Sequence, residues 1–226
     1  MEIHELMLAT PALNAQRAFY TDVLGLPLLH DDGSGFAVAV GASRLVFTRA
    51  TDAAPAHYHY AINVPVVSFD AAVEWLRART PLLHNAAGET VMTASNWPAR
   101  MVYFADPDGN IGELIARDDL ATDTMTSVIL PLLHLSEVGL AATDPLALVA
   151  QIQQTIGLPA YRDAPDPNFS AIGDARGLCI VVPTGRLWYP EQRVPATAAP
   201  LTARVSYANR TWQIAGPPWQ ISAIAQ

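Results

Sequence analysis

The 226 residues predict an α+β protein assembled from repeated βαβββ modules, and three observations carry that prediction. The first is an internal repeat. Glu5, Leu8, Ala9, Ala15, Ala18 and the triplet Gly25, Leu26, Pro27 return at a constant offset as Glu137, Leu140, Ala141, Ala147, Ala150 and Gly157, Leu158, Pro159. A constant offset through strand, helix and turn means a shared supersecondary plan. The second is the alternation of short apolar runs with stretches of helical period. The third is a hydrophobic content of 51% against 15% charged residues, enough to fill a packed core.

The first module occupies 1–50. "IHELMLA" is short and apolar, Thr10 and Pro11 signal a helix start, and Ala15, Phe19 and Val23 recur every fourth residue until "LGLP" stops the helix. "GFAVAVGASRLVFTR", 35–49, then reads as two strands joined by a Gly-containing turn. The second module, 57–117, begins with the strand "HYHYAINV". Its helix places Phe69, Ala72, Val73 and Leu76 on one face, and "ARMVYFADPDGNIGELIAR" follows as two strands around Asp106-Pro107-Asp108-Gly109, the residue order of a type I turn. Residues 118–127, "DDLATDTMTS", are polar and weakly periodic, a linker. The third module, 128–226, has the strand "LHLSEVGLAA", a helix opened by Asp144-Pro145 and strands in "NFSAIGDARGLCIVV". After the spacer "RVPATAAP", 193–200, comes a closing hairpin turned at Asn209.

Composition removes several function classes. A net charge of −8 with scattered Lys and Arg gives no footprint for nucleic acid. No apolar run approaches the ~20 residues of a membrane span, and the N-terminus lacks a basic, then apolar, export signal. A single cysteine, Cys179, suits a reducing compartment, so the expected location is cytoplasmic. There is no G-x-S-x-G, no Cys/His nucleophile pattern and no Gly-rich phosphate loop.

The segments "LNAQRAFYTDVLGLPL", "YHYAINV" and "YFADPDGNIGEL" resemble the vicinal oxygen chelate superfamily of glyoxalase I, bleomycin and fosfomycin resistance proteins and extradiol dioxygenases. The resemblance covers 1–117 well and 128–189 more weakly. It implies that two modules pair, here the first with the second over 1–117, curving their sheets into a cup around a divalent metal. In the family's register the ligands fall on Glu5 in the first strand, His59 in the second module's first strand, and Glu113 three residues beyond the Asn of D-P-D-G-N. His4 is one residue out of register. The place of a fourth carboxylate, near Val46, is apolar. Imidazole and carboxylate donors suit Mn²⁺, Fe²⁺, Zn²⁺ or Ni²⁺, and three of them leave positions for two neighbouring oxygens of a small-molecule substrate.

Strand alternation adds neighbours: Asn63 shares a face with His59, and Arg117 with Glu113. Tyr103 occupies a position where the family's resistance proteins have pocket-lining tyrosines and is the candidate catalytic acid. Trp97 and Arg100, in "NWPAR", are candidates to cover the mouth and bind an anionic group. The function expected is a glyoxalase-type isomerase or lyase step, or thiol transfer. The alternatives are a metal-free small-ligand or drug-sequestering protein and, third, an extradiol-type dioxygenase, which a Glu at the first position disfavours. Pairing of modules one and two leaves the third with an uncovered sheet, from which a homodimer is expected.

Overall fold

The computed structural model describes residues 1–50, 56–94, 97–120 and 132–224. The first two modules follow the expected βαβββ plan, and the third has two strands after its helix. Strand β1, Glu2–Thr10, leads through Thr10, whose hydroxyl accepts from the Ala12 N–H at 3.0 Å, into helix α1, Leu13–Ala18, which widens into a π turn before Gly25. Strands β2 (Leu28–Asp31), β3 (Gly35–Val40) and β4 (Ser43–Arg49) complete the module. The second module comprises β5 (His59–Asn63), α2 (Phe69–Arg77), β6 (Val91–Ala94), β7 (Trp97–Ala105) and β8 (Ile111–Arg117). Helix α2 buries the four apolar residues its period selects, Phe69, Ala72, Val73 and Leu76. Burying each of the larger side chains contributes roughly 1.5–3 kcal/mol.

The third module has β9 (His134–Ala142), α3 (Pro145–Ile156), β10 (Ser170–Asp174) and β11 (Gly177–Pro183). Helix α3 has both of its stops written in the sequence. The Asp144 carboxylate accepts from the Ala147 N–H at 3.0 Å at the N-cap, and Gly157 closes the helix at φ 85°. The closing segment is a three-stranded meander, β12 (Leu201–Tyr207), β13 (Arg210–Gly216) and β14 (Gln220–Ile224), turned between β12 and β13 by Ala208 and Asn209, both at positive φ. Residues 118–120 of the expected linker form a short helical turn, and the rest of it lies outside the described residues.

The strand pairing corrects the expected arrangement of modules. First strands β5 and β9 run antiparallel, Tyr60 opposite Val138 and Ala61 opposite Glu137, so module two pairs with module three. Strand β1 instead lies antiparallel to β12, touching β9 at one position only, Ile3 opposite Leu135. The chain therefore holds two cups. One is built from modules two and three, the other from module one and the closing meander. The sheet expected to stand uncovered on module three is joined within the chain, which removes the ground for expecting a homodimer. The local pattern identifies modules but not their partners, because any first strand of this kind presents the same edge.

Apolar side chains form two clusters, one on each side of the sheet. The larger packs α2 and α3 against the outer face. The smaller lines the inner face of the cup built from modules two and three, with Ala61, Met101, Tyr103, Ile115, Ile180 and Trp188 among its members. All of these but Trp188 fall on alternate residues of β5, β7, β8 and β11, as the pleat requires. Gly41, at φ 55° in the β3–β4 turn, lies under the Leu132–Leu133 backbone, where a Cβ would overlap the Leu133 carbonyl. That close approach seats the chain as it enters β9.

Candidate metal centre and ligand cup

One row of residues runs across the inner face of the cup. Tyr103 on β7 stands opposite Glu113 on β8, Glu113 opposite Ala61 on β5, and Ala61 opposite Glu137 on β9. With one strand between them, the two glutamates would stand roughly 9–10 Å apart at their backbones. Ala61, whose side chain ends at Cβ, leaves a gap over which both carboxylates lean. His59, two residues before Ala61 on the same face, completes the group: donor atoms of His59, Glu113 and Glu137 all lie within 4.8 Å of one another, and all three residues are buried. His59 Nε2 is 3.4 Å from Glu137 Oε2 and 3.7 Å from Glu113 Oε2.

The histidine is oriented by the sheet itself. Its Nδ1 lies 3.1 Å from the Ile111 carbonyl oxygen, which can only accept, so Nδ1 carries the proton. In the neutral ring the Nε2 lone pair then faces the two carboxylates, and only a cation, proton or metal, reconciles the three. Trp188 lies over the ring, centroids 4.9 Å apart. Gly139 permits this packing, since a Cβ there would come within 2.9 Å of the Trp188 ring and 3.1 Å of His59 Cβ.

The carboxylates are electrostatically unequal. Arg117, 1% exposed, forms an ion pair with Glu137 Oε1 and lies 3.3 Å from the Ser136 hydroxyl. Its guanidinium is also 5.2 Å from the Trp97 ring centroid. Burial would raise the Glu137 pKa, but Arg117 and His59 outweigh it and hold this carboxyl below the ordinary range. Glu113 is pushed well up, by burial first and then by the charge of Glu137, with Arg117 and the Tyr103 hydroxyl opposing. Burial, followed by those same carboxylates, drives the Tyr103 pKa upward too, so its hydroxyl keeps its proton.

A divalent metal fits this donor set. Two donors each about 2.1 Å from one ion stand roughly 3.0–3.5 Å apart, close to the 3.4 and 3.7 Å separations of His59 from the carboxylates. With both glutamates ionised against the one guanidinium of Arg117, the group would carry a negative charge that such an ion would neutralise. Above this floor the cup opens into a cavity of about 380 Å³ walled by Trp97, Met101, Phe169, Ile180, Trp188 and Tyr189, with Arg186 also lining it.

Of the sequence candidates, His59, Glu113, Tyr103 and Trp97 line this cavity. Arg117 sits beneath it, bound to Glu137. Glu5 is not in the group: it stands opposite Arg44 across the sheet and pairs with it at 3.4 Å in the other cup, and two residues on Met7 stands opposite Val46. Glu137 stands here instead, at the position the repeat makes equivalent to Glu5. Arg100 points to the opposite face of β7, paired with Asp70 and 4.4 Å from the Phe69 ring centroid. It lies three positions after Trp97, an odd offset, so the pleat divides them. Asn63, fully buried, donates to the Ala175 carbonyl at 3.3 Å and does not line the cavity. Phe169, Arg186, Trp188 and Tyr189 were not foreseen as site residues; they lie between or beyond regular strands, where no period marks a direction.

Paired βαβββ modules, a cup and a buried His/Glu/Glu set define a small-molecule protein whose site could hold a divalent metal. The chain belongs to the Glyoxalase/Bleomycin resistance protein/Dioxygenase superfamily, whose family model matches residues 2–114. A putative dioxygenase from Bacillus subtilis subsp. subtilis str. 168 shares the fold over 99% of this chain and 69% of its own, with a TM-score of 0.56 at 16% identity. Lactoylglutathione lyase from Agrobacterium tumefaciens matches 50% of this chain and 92% of its own, at 24% identity and a TM-score of 0.42. A superfamily protein from Nocardioides matches 52% and 83%, at 23% identity and a TM-score of 0.42. No curated protein matches the chain in sequence. No helix among the described residues is long and apolar enough to cross a membrane.

Proposed function

We propose that the chain is a metal-dependent enzyme of the isomerase, lyase or thiol-transfer kind, acting on a small molecule that presents two neighbouring oxygens at His59, Glu113 and Glu137. The convergence of these three buried donors over the gap at Ala61 carries this reading. A divalent ion held there supplies Lewis acidity toward the substrate's oxygens. The chain's own residues do the rest. Arg117 keeps Glu137 ionised and fixed, the Ile111 carbonyl keeps His59 Nε2 turned inward, and the protonated Tyr103 hydroxyl, beside Glu113, is placed to donate a hydrogen bond to a substrate oxygen. The aromatic walls exclude water from the reacting oxygens. One histidine with two carboxylates departs from the two-His, one-carboxylate set of non-haem iron oxygenases, which favours isomerase or lyase chemistry over oxygen activation.

The Arg117–Glu137 ion pair favours a second reading, a metal-free cup that sequesters an aromatic compound, because it satisfies one carboxylate without metal. Elemental analysis and calorimetric titration with Mn²⁺, Fe²⁺, Zn²⁺ and Ni²⁺ separate the two. Metal binding that survives E5Q and is lost in E137Q supports the enzyme. A wild-type protein that carries and takes up none of these ions sinks it.

A further inference from the structure

The floor of the cup is acidic, yet its lining includes an arginine that no acid among the described residues answers. Arg186 lines the cavity beside Phe169, its guanidinium carbon 5.4 Å from that ring's centroid. Among the described residues, its guanidinium makes one hydrogen bond, to the carbonyl of the adjacent Leu187 at 3.5 Å. Among the described residues no carboxylate pairs with it, whereas Arg100, Arg117 and Arg162 are bound to Asp70, Glu137 and Asp119. Partial burial lowers the Arg186 pKa, with no neighbouring charge restoring it. A half-desolvated guanidinium beside an apolar wall is an unfilled binding group for an anion, and its planar fork matches a carboxylate.

The rest of the cavity describes the body that such an anion would be attached to. Trp97, Phe169, Trp188 and Tyr189 present rings, with Trp97 and Phe169 edge to face at 6.1 Å and Tyr189 edge to face with Tyr103 at 5.5 Å. These walls suit a flat aromatic frame, and about 380 Å³ falls within the range of ligand sites. The acidic floor repels an anionic substituent. The chain's net charge of −8 offers such a ligand no general attraction either, so one local cation sets its orientation.

We propose that Arg186 is the anion anchor of this cup, and that the ligand is a flat aromatic molecule whose carboxylate faces Arg186 while its other end faces His59, Glu113 and Glu137. This deepens the functional reading above and rests on the same cup being the binding site, but not on metal.

The test is calorimetric titration of the EDTA-treated full-length protein with 2-naphthoate and, separately, with the neutral 2-naphthamide. Wild type should bind the carboxylate about tenfold or more tightly than the amide, the yield of one charge-assisted contact. R186Q should bring the two affinities within about twofold, and R186K should keep part of the preference. Thermal melting shows whether each variant is folded. Binding of neither probe, equal affinities in wild type, or a preference that persists in folded R186Q each overturns the assignment. Wild type that prefers the carboxylate but takes up no metal upholds Arg186 while defeating the metal-dependent reading.

Discussion

Replacing Glu113 with Gln should make the metal-free protein more stable while destroying its metal site. Glu113 and Glu137 bring carboxylate oxygens within 4.8 Å of each other. At an effective dielectric constant of about 20, two negative charges at that distance repel by roughly 3.5 kcal/mol. Loss of Glu113's attraction to Arg117 offsets part of this, and the amide oxygen can still accept from Tyr103, leaving a net gain of about 2 kcal/mol. For a chain of this size that corresponds to a melting temperature roughly 4–8 °C higher. The sign depends on pH. A carboxyl whose folded pKa is raised leaves stability intact below its ordinary pKa and removes it as pH rises through the folded value. The advantage of E113Q should therefore vanish near pH 4 and open toward pH 8. Melting curves in EDTA across that range measure it. Adding Mn²⁺ to a hundredfold excess over Kd should then stabilise wild type by about 2.7 kcal/mol and E113Q by far less. A variant that melts at or below wild type at pH 8 without metal would refute the picture of two carboxylates held against their repulsion.

Filling the gap on the floor by A61L should abolish metal binding with the three donors untouched, readable by calorimetry, because the new side chain must occupy the space between Glu113 and Glu137. D106N should cost about 1–3 kcal/mol in urea unfolding at pH 7. One Asp106 oxygen accepts from Asn110 Nδ2 at 2.8 Å and the other from the Asp108 and Asn110 N–H groups at 3.0 Å, so an amide would set donor against donor whichever way it turned. Burial pushes Asp106 up to about 6, so wild-type stability should fall between about pH 4 and 6 as this group ionises, a slope D106N lacks. R100A should leave the affinities for Mn²⁺ and for 2-naphthoate within twofold of wild type, since Arg100 lies on the outer face.

What could be read in advance was local. The turn Asp106-Pro107-Asp108-Gly109 is set by its own residues, and the register of the family the chain resembles, counted from that turn and along the second module's first strand, pointed to Glu113 and His59, which the fold brings together. The repeat marked Glu5 and Glu137 as equals but could not say which belonged to the cup containing His59. That depends on β5 choosing β9, a contact between edges far apart in sequence. Alternation separated Arg100 from Trp97 as soon as both were placed on one strand, and overlooking it cost a candidate. Phe169 and the segment from Arg186 to Tyr189 carry no period, so their descent over the cup is a matter of packing alone.

The two halves of the cup are related by the repeat, yet not equal. Parallel pairing sets Glu113 beside Ala61 on one side and Ile180 beside Gly139 on the other, so an isoleucine stands where symmetry would put a second last-strand acid. At the last-strand position, a ligand seated on the floor would therefore meet the Glu113 carboxyl and the Tyr103 phenol from one flank and the Ile180 side chain from the other. Under the proposed function, a prochiral substrate in such a cup would give up or receive its proton on a single face, and its product would be a single enantiomer.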